Sequence, residues 1–278
     1  MKYVICYSGG ESSSVCALSV AKKYGAENVI LLNHNITGKV EQECTKKLKR
    51  DVADYLGLQI TYANHINWEQ ATPVQVCVDA KGWKVKNGKL FCTNRLKTAP
   101  FKKWMNENDP GRDNIYVYGL DANEPTRINR RSQIMGGMGY KTMFPMLWDN
   151  SEIVTLESVG IDRGSIYDKF NHSNCMGCLK AGWQHWYIVY CERPDIWLEA
   201  KLGEGEIGYA IHKDKDGPVY LEDKEGLFEK MKLSGVIPTE KIKFQTFWAN
   251  ARRAVREYES ELRELEVHDS GVCLDCSL

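Results

Sequence analysis

The sequence has no apolar run of the roughly 18 residues that a membrane span needs, and no surplus of charge: 37 Lys and Arg face 37 Asp and Glu, for a formal net charge of zero. The first absence predicts no membrane partner, and the second removes any global demand for nucleic acid. There is no internal repeat and no low-complexity segment. A hydrophobic share of 43% and a charged share of 27% are ordinary for a globular protein and exclude the disordered and collagen classes. The 278 residues suffice for one large α/β domain, alone or with a smaller appendage. The opening Met1–Tyr7 carries one positive charge and a short apolar stretch, and runs into Ser-Gly-Gly without a small-residue cleavage site. It reads as a buried strand and not as a signal peptide. Cysteine, by contrast, is plentiful: ten thiols with no export signal point to a reducing, cytoplasmic setting, where thiols serve as core residues, metal ligands or nucleophiles.

Through the first 150 residues short β-branched runs alternate with helical stretches, the pattern of an α/β fold with a doubly wound, mainly parallel sheet. Strands are expected at Lys2–Tyr7, Val29–Asn33, Leu58–Ala63 and Ile115–Gly119, with helices over Ser14–Ala21 and Val40–Leu56, the latter stopped by Gly57. Open sheets of this kind bind ligands at the carboxyl ends of their strands, where this chain has its polar clusters. Residues 66 to 90 lack periodicity and read as an insertion or lid. After about residue 150 the pattern is mainly helical. Lys241–Glu266 repeats apolar residues at three and four from Phe244 to Leu265, as one long docking helix would. The expected organisation is a nucleotide-binding domain over 1–190, a helical region over 191–267 and a cysteine-containing tail over 268–278.

Immediately after the first strand stands Ser8-Gly9-Gly10-Glu11-Ser12-Ser13, followed by a helix. Glycines reach backbone conformations closed to other residues, so successive N–H groups can converge on an anion at the positive end of the helix. Ser8, Ser12 and Ser13 add hydroxyl donors. A tight β–α turn with a serine cap is the plainer alternative.

The segment resembles the Ser-Gly-Gly-x-Asp-Ser signature of PP-loop ATP pyrophosphatases, with Ser12 where that pattern has Asp. Four further stretches are similar, in order, to the phosphoadenosine phosphosulfate (PAPS) reductase-like branch: Thr37-Gly38 with Glu41; Cys92 to Phe101; Gly119 to Arg127; and Phe144 to Trp148 followed by Tyr167-Asp168 and Cys175-Met176-Gly177-Cys178. The likeness covers roughly residues 1 to 190. It implies an adenine nucleotide alpha hydrolase-like fold and a site for ATP, or for PAPS or adenylylsulfate, drawn from Ser8, Gly9, Gly10, Glu11, Ser12, Ser13, Asn33, Thr37, Gly38, Gly119, Asp121, Glu124 and Arg127.

Arg95, Lys97, Arg127, Arg130 and Arg131 fall beside the carboxyl edge of the expected sheet, and arginine forks suit phosphate or sulfate oxygens. Asp121 and Glu124 could hold Mg²⁺ between phosphates or pair with these arginines. Cys175-x-x-Cys178 has a metal-ligand spacing. The resemblance brings Cys92 to it, so that three thiolates carry a [4Fe-4S] cluster with one open iron; Phe91 stands where the family's extra cysteine would be. Zinc with His172 or His185 as fourth ligand is the competing assignment. Cys6, Cys16, Cys44, Cys77 and Cys191 read as inert packing residues. In the tail, Cys273-x-x-Cys276 sits where sulfonucleotide reductases keep a catalytic thiol, but without their surrounding sequence. It could be a redox dithiol, a persulfide carrier or a metal clip.

Two enzymatic readings follow. In one, ATP is cleaved to AMP and pyrophosphate to adenylylate an acceptor for iron-sulfur-assisted sulfur transfer, with Arg95, Lys97, Cys273 and Cys276 as the acting groups. The alternative is a PAPS or adenylylsulfate reductase releasing sulfite. A non-catalytic nucleotide or redox sensor is the third reading. A sulfur or electron donor protein is an expected partner, and a homodimer is left open. So is a nucleic-acid acceptor, for which Lys46–Arg50 and Lys97–Lys103 would supply charge and Trp104, Trp183 and Trp186 stacking faces.

Overall fold

A computed structural model of the chain describes every residue except Asn87, Asn174 and 270–278, with side chains described as far as Glu264. Cys273 and Cys276 therefore lie outside the described residues. The chain divides into two compact units, the first ending at Cys178 and the second beginning at Leu179.

The first unit is built on five parallel strands: β1 (Tyr3–Cys6), β2 (Val29–Asn33), β3 (Ile60–Tyr62), β4 (Ile115–Val117) and β5 (Lys141–Met143), ordered β3-β2-β1-β4-β5. β1 is central, with Tyr3 in register with Val29 on one side and Ile115 on the other. Its period of two splits its side chains between two cores. Tyr3, Ile5 and Tyr7 pack with α1 (Glu11–Tyr24) and α2 (Glu43–Tyr55), where Val15, Leu18, Leu48 and Val52 are buried. Val4 turns to the other face, among Leu32, Met105, Tyr116 and Met135. Both faces are covered, which is why the strands read as nearly continuous apolar runs.

The remaining elements of this unit are α3 (Pro73–Val78), α4 (Phe91–Thr93), α5 (Ala99–Asn108), α6 (Pro125–Gly137) and α7 (Ile166–Lys169). Between α4 and α5, residues Asn94–Thr98 form a π turn. Pro100, in the first turn of α5, cannot donate the regular helical bond, and such interruptions cluster at functional sites. The segment over 66–90, read as an insertion or lid, holds α3, capped by Thr72 Oγ1 accepting from Gln75 N at 3.0 Å, and an antiparallel bridge between Lys84 and Leu90. The fifth strand was not expected.

The second unit comprises α8 (Trp183–Glu192), α9 (Pro194–Ile207), the hairpin β6–β7 (His212–Lys213 and Pro218–Val219), α10 (Glu222–Leu233) and α11 (Phe244–Asp269). Its core is aromatic: Trp186, Tyr187, Trp197, Phe228 and Phe247 are buried, and the Trp186 and Trp197 rings meet edge-on at 6.1 Å. α11 is the expected long helix, with Phe247, Ala251 and Val255 on its buried stripe; Phe244, assigned to that stripe, is 60% exposed. The buried Glu204 carboxylate ties the hairpin to α9, accepting from the backbone N–H of Ile211 and Leu221, both at 2.7 Å. No helix among the described residues is long and apolar enough to cross a membrane.

His212 gives this unit a pH response. Its ring lies 4.2 Å from that of Trp183, and its Nε2 is buried without a hydrogen-bond partner among the described residues. Burial, reinforced by His185, lowers its pKa from 6.5 to about 4. Between those values the unfolded chain binds the proton more tightly than the folded one, so stability held above pH 6.5 declines as the pH falls toward 4. The expected loss is about 3 kcal/mol between pH 7 and pH 4. Urea unfolding of the wild type and of His212→Gln over that range checks it; an unchanged pH slope in the variant would refute the assignment to His212.

Candidate functional site

The chain reverses its winding at β1: β2 and β3 are laid down on one side, β4 and β5 on the other. Loops leaving β1 and β4 therefore diverge and open a crevice at the carboxyl end of the sheet. A cleft of about 750 Å³ occupies this place, lined from β1 by Ser8, Gly10, Glu11, Ser12 and Ser13, from β4 by Gly119, Asp121, Glu124 and Arg127, and from the α7 region by Tyr167, His172 and Ser173. Its volume is within the range of small-ligand sites, about 300–1,000 Å³.

The floor is the first turn of α1. Helix starts leave N–H groups without internal partners. Here Gly10 N–H donates to Ser8 Oγ at 3.4 Å, and Glu11 N–H to the Tyr167 hydroxyl at 2.8 Å. No hydrogen bond among the described residues engages the amides of Ser12 and Ser13. The Ser13 hydroxyl donates to Gly10 O at 2.9 Å and stands 3.2 Å from that of Ser8.

Two glycines make this shape available. Gly9 has φ +79°, a region that favours glycine, and a Cβ there would collide with the side chain of Lys49 beneath it. At Gly119 a Cβ would lie 2.8 Å from Ser12 C and O and 2.9 Å from Ser13 N, so the end of β4 reaches the helix start only because the side chain is absent.

A smaller cavity of about 160 Å³ shares Cys6, Ser8 and Ser173 with the cleft and is lined further by Asn33, His34, Ile36, Glu41, Lys97, Phe101, Cys175 and Cys178. Burial pushes Cys175 up to about 11, an effect that Lys97 reduces and the neighbouring Cys178 and Cys92 increase. Burial likewise raises Cys6 to about 12, with Tyr118 and Arg131 opposing. Both thiols are thus neutral near pH 7. His34 is shifted down by burial, with Nδ1 2.6 Å from Ala63 O. The Cys92 thiol is hydrogen-bonded with that of Cys77, which lowers Cys77 against the effect of burial. Among the described residues no three His, Cys, Asp or Glu side chains are grouped closely enough to hold a metal ion.

The sequence-derived site residues thus distribute over several places. Ser8, Gly10, Glu11, Ser12, Ser13, Gly119, Asp121, Glu124 and Arg127 meet in the cleft. Asn33, Lys97, Cys175 and Cys178 meet in the small cavity. Thr37, buried, and Gly38, exposed, both lie outside the two linings; an added Cβ at Gly38 would lie 3.7 Å from Lys46 Nζ. Arg95, on the π turn, stacks over the Phe91 ring at 5.5 Å. Glu124 is ion-paired with Arg127, and Asp121 Oδ1 accepts from Asn123 N at 2.7 Å. Arg131 lies over the Tyr118 ring at 4.9 Å. His185 stays with the second unit, 3.4 Å from Glu240.

Several expectations change. Cys6 and Cys77, read as inert, line the site or engage Cys92. Lys49, counted within an exposed basic run, is 2% exposed, and its neighbours Lys47 and Arg50 pair with Asp51 and Glu43. Trp186 is fully buried and offers no stacking face. Tyr167 was noted only as part of a motif, and its hydroxyl at Glu11 N connects positions far apart in the chain, which no local pattern signals.

Fold and site together define an α/β chain with an all-parallel five-stranded sheet and a ligand-sized cleft at its switch point. No family model, curated protein or solved structure matches it in comparison.

Proposed function

We propose that the first unit is a PP-loop nucleotide-binding enzyme that splits ATP at the α-phosphate: an acceptor oxygen takes the adenylyl group, pyrophosphate leaves, and a sulfur nucleophile then displaces AMP. One observation carries the reading: the unengaged Ser12 and Ser13 amides, at the positive end of α1, face a cleft at the switch point of a parallel sheet. Phosphate oxygens would take these amides and the Ser8 and Ser13 hydroxyls. The Asp121 and Glu124 carboxylates are the oxygen donors available to Mg²⁺, whose part is to neutralise phosphate charge. An acceptor in the small cavity would approach the α-phosphate past Ser8 and Ser173, which both spaces share.

A [4Fe-4S] cluster on Cys92, Cys175 and Cys178 belongs to the same proposal, with zinc as its alternative. The thiols as they stand do not fit it: Cys92 would first have to leave Cys77. No step is therefore assigned to the cluster. A nucleic-acid acceptor and a cytoplasmic setting also belong to this reading.

Incubation with ATP and Mg²⁺ is expected to release pyrophosphate, with AMP in equal amount where water takes the place of the acceptor at the α-phosphate. Ser13→Ala should lower kcat/KM about tenfold or more, since hydrogen bonds to charged groups contribute about 1.5–3 kcal/mol. Release of sulfite from PAPS or adenylylsulfate with no pyrophosphate from ATP would turn the assignment to sulfonucleotide reduction. Nucleotide binding with neither product would favour a sensor. Iron and acid-labile sulfide in anaerobically purified protein, lost together in Cys175→Ser, decide the cluster.

A further inference from the structure

We infer that Lys49 is a positioning residue for the phosphate-binding segment, holding Tyr7, Ser8 and Gly9 in place from beneath; the inference rests on the nucleotide reading above. Lys49 lies on the buried side of α2, beside Leu48 and Val52, and is 2% exposed. Its methylenes run under Gly9, close enough to exclude any Cβ there. Its ammonium donates to Glu41 Oε1 at 2.7 Å and to Asn33 Oδ1 at 3.4 Å.

The bond to Asn33 decides an orientation. With Oδ1 turned to the ammonium, Nδ2 is directed at the carbonyl of Tyr7, which it reaches at 2.5 Å. The Tyr7 hydroxyl closes the circuit by donating to Lys49 O at 3.2 Å, with Leu48 O at 3.5 Å. The ends of β1 and β2 and the middle of α2 are thereby joined in one ring of hydrogen bonds, and Ser8 is the next residue after it. A leucine or methionine would fill the space beneath Gly9. Only a donor at the end of a long stem both fills it and sets the Asn33 amide. Burying an ammonium is costly even when it is paired, and packing alone does not require it.

Glu41, the counter-charge, also lines the small cavity, where its Oε2 is buried without a hydrogen-bond partner among the described residues. The same ion pair thus touches both spaces: the ammonium stem supports the cleft floor, and the carboxylate borders the cavity.

The test compares affinities for ATP, pyrophosphate and adenosine in the full-length chain. The double variant Lys49→Met/Glu41→Gln removes the charge without leaving a bare buried carboxylate. It is expected to fold cooperatively, to bind ATP and pyrophosphate about tenfold more weakly through displaced amides, and to bind adenosine as the wild type does. Lys49→Arg, which keeps charge and donors, should recover part of the loss. A folded double variant with wild-type affinity for ATP overturns the inference. So does an equal loss for adenosine and ATP, which would mark a general structural role. If the double variant does not fold, Tyr7→Phe replaces it: opening the ring at the hydroxyl should weaken ATP and pyrophosphate about threefold and leave adenosine unmoved, and unchanged affinity for all three overturns the inference. A wild type that binds neither ATP nor pyrophosphate removes the nucleotide reading and this inference with it.

Discussion

Gly119→Ala is expected to abolish most nucleotide turnover, lowering kcat/KM by about 100-fold, because displacing catalytic amides by about an ångström costs that much. The added methyl would stand 2.8 Å from Ser12 C and O and 2.9 Å from Ser13 N. These are backbone atoms of the helix start, and no rotamer change relieves the clash. Either β4 retreats from α1 or the first turn of α1 shifts, and both widen the site where the proposed phosphates sit. Stability should fall as well, by about 1–3 kcal/mol, as in other overpacked cores. Gly136→Ala is the control. It lies in α6 with nothing within 4 Å of an added Cβ, and in a helix that change adds about 0.5–1 kcal/mol. Parallel titrations with ATP and urea read both effects. Wild-type ATP affinity in Gly119→Ala would remove the cleft floor from the proposed function.

The second large effect is on stability. Trp186→Ala should cost about 3–5 kcal/mol, the range for deleting a buried aromatic from a packed core. Trp186 is fully buried, with ring contacts to His185, Trp197 and His212 at 6.5, 6.1 and 5.9 Å. Trp186→Phe keeps much of the volume and should cost less than half as much. Urea midpoints followed by circular dichroism check the pair. A loss below about 1 kcal/mol for the alanine variant would show that the aromatic cluster is not the core of the second unit.

The parts legible in the sequence are those written in short-range pattern. An apolar run broken by Ser-Gly-Gly and followed by helical spacing predicts β1, the turn and α1, because each depends on neighbours a few residues away. The residues after β4 were put at the site by the family resemblance and not by local pattern; they line one cleft with the turn after β1. β5 was missed because an edge strand of three residues, Lys141-Thr142-Met143, has no room for an alternating signal. Lys49 was misjudged for a different reason. In a run of basic residues a lysine is expected in water, and only the tertiary placement of Glu41 and Asn33 makes its burial affordable. Trp186 was offered as a stacking face beside the alternative of a buried tryptophan, and packing put it at a core's centre. The meeting of Cys77 with Cys92 depends on an antiparallel bridge that brings α3 and α4 together, and the spacing of the two thiols does not announce it.

The central position of β1 has a consequence for how the protein comes into being. β1 is made more than a hundred residues before one of its two flanking strands, which begins only at Ile115. Long-range parallel pairing of this kind is slow to form, since the intervening loop must close before any contact rewards it. Until more than a hundred further residues have followed β1, one of its edges stays open to wrong partners, and one wall of the cleft does not yet exist. The order of translation thus makes ligand capture a late event, and any nucleotide that binds can stabilise only chains that have already completed the sheet.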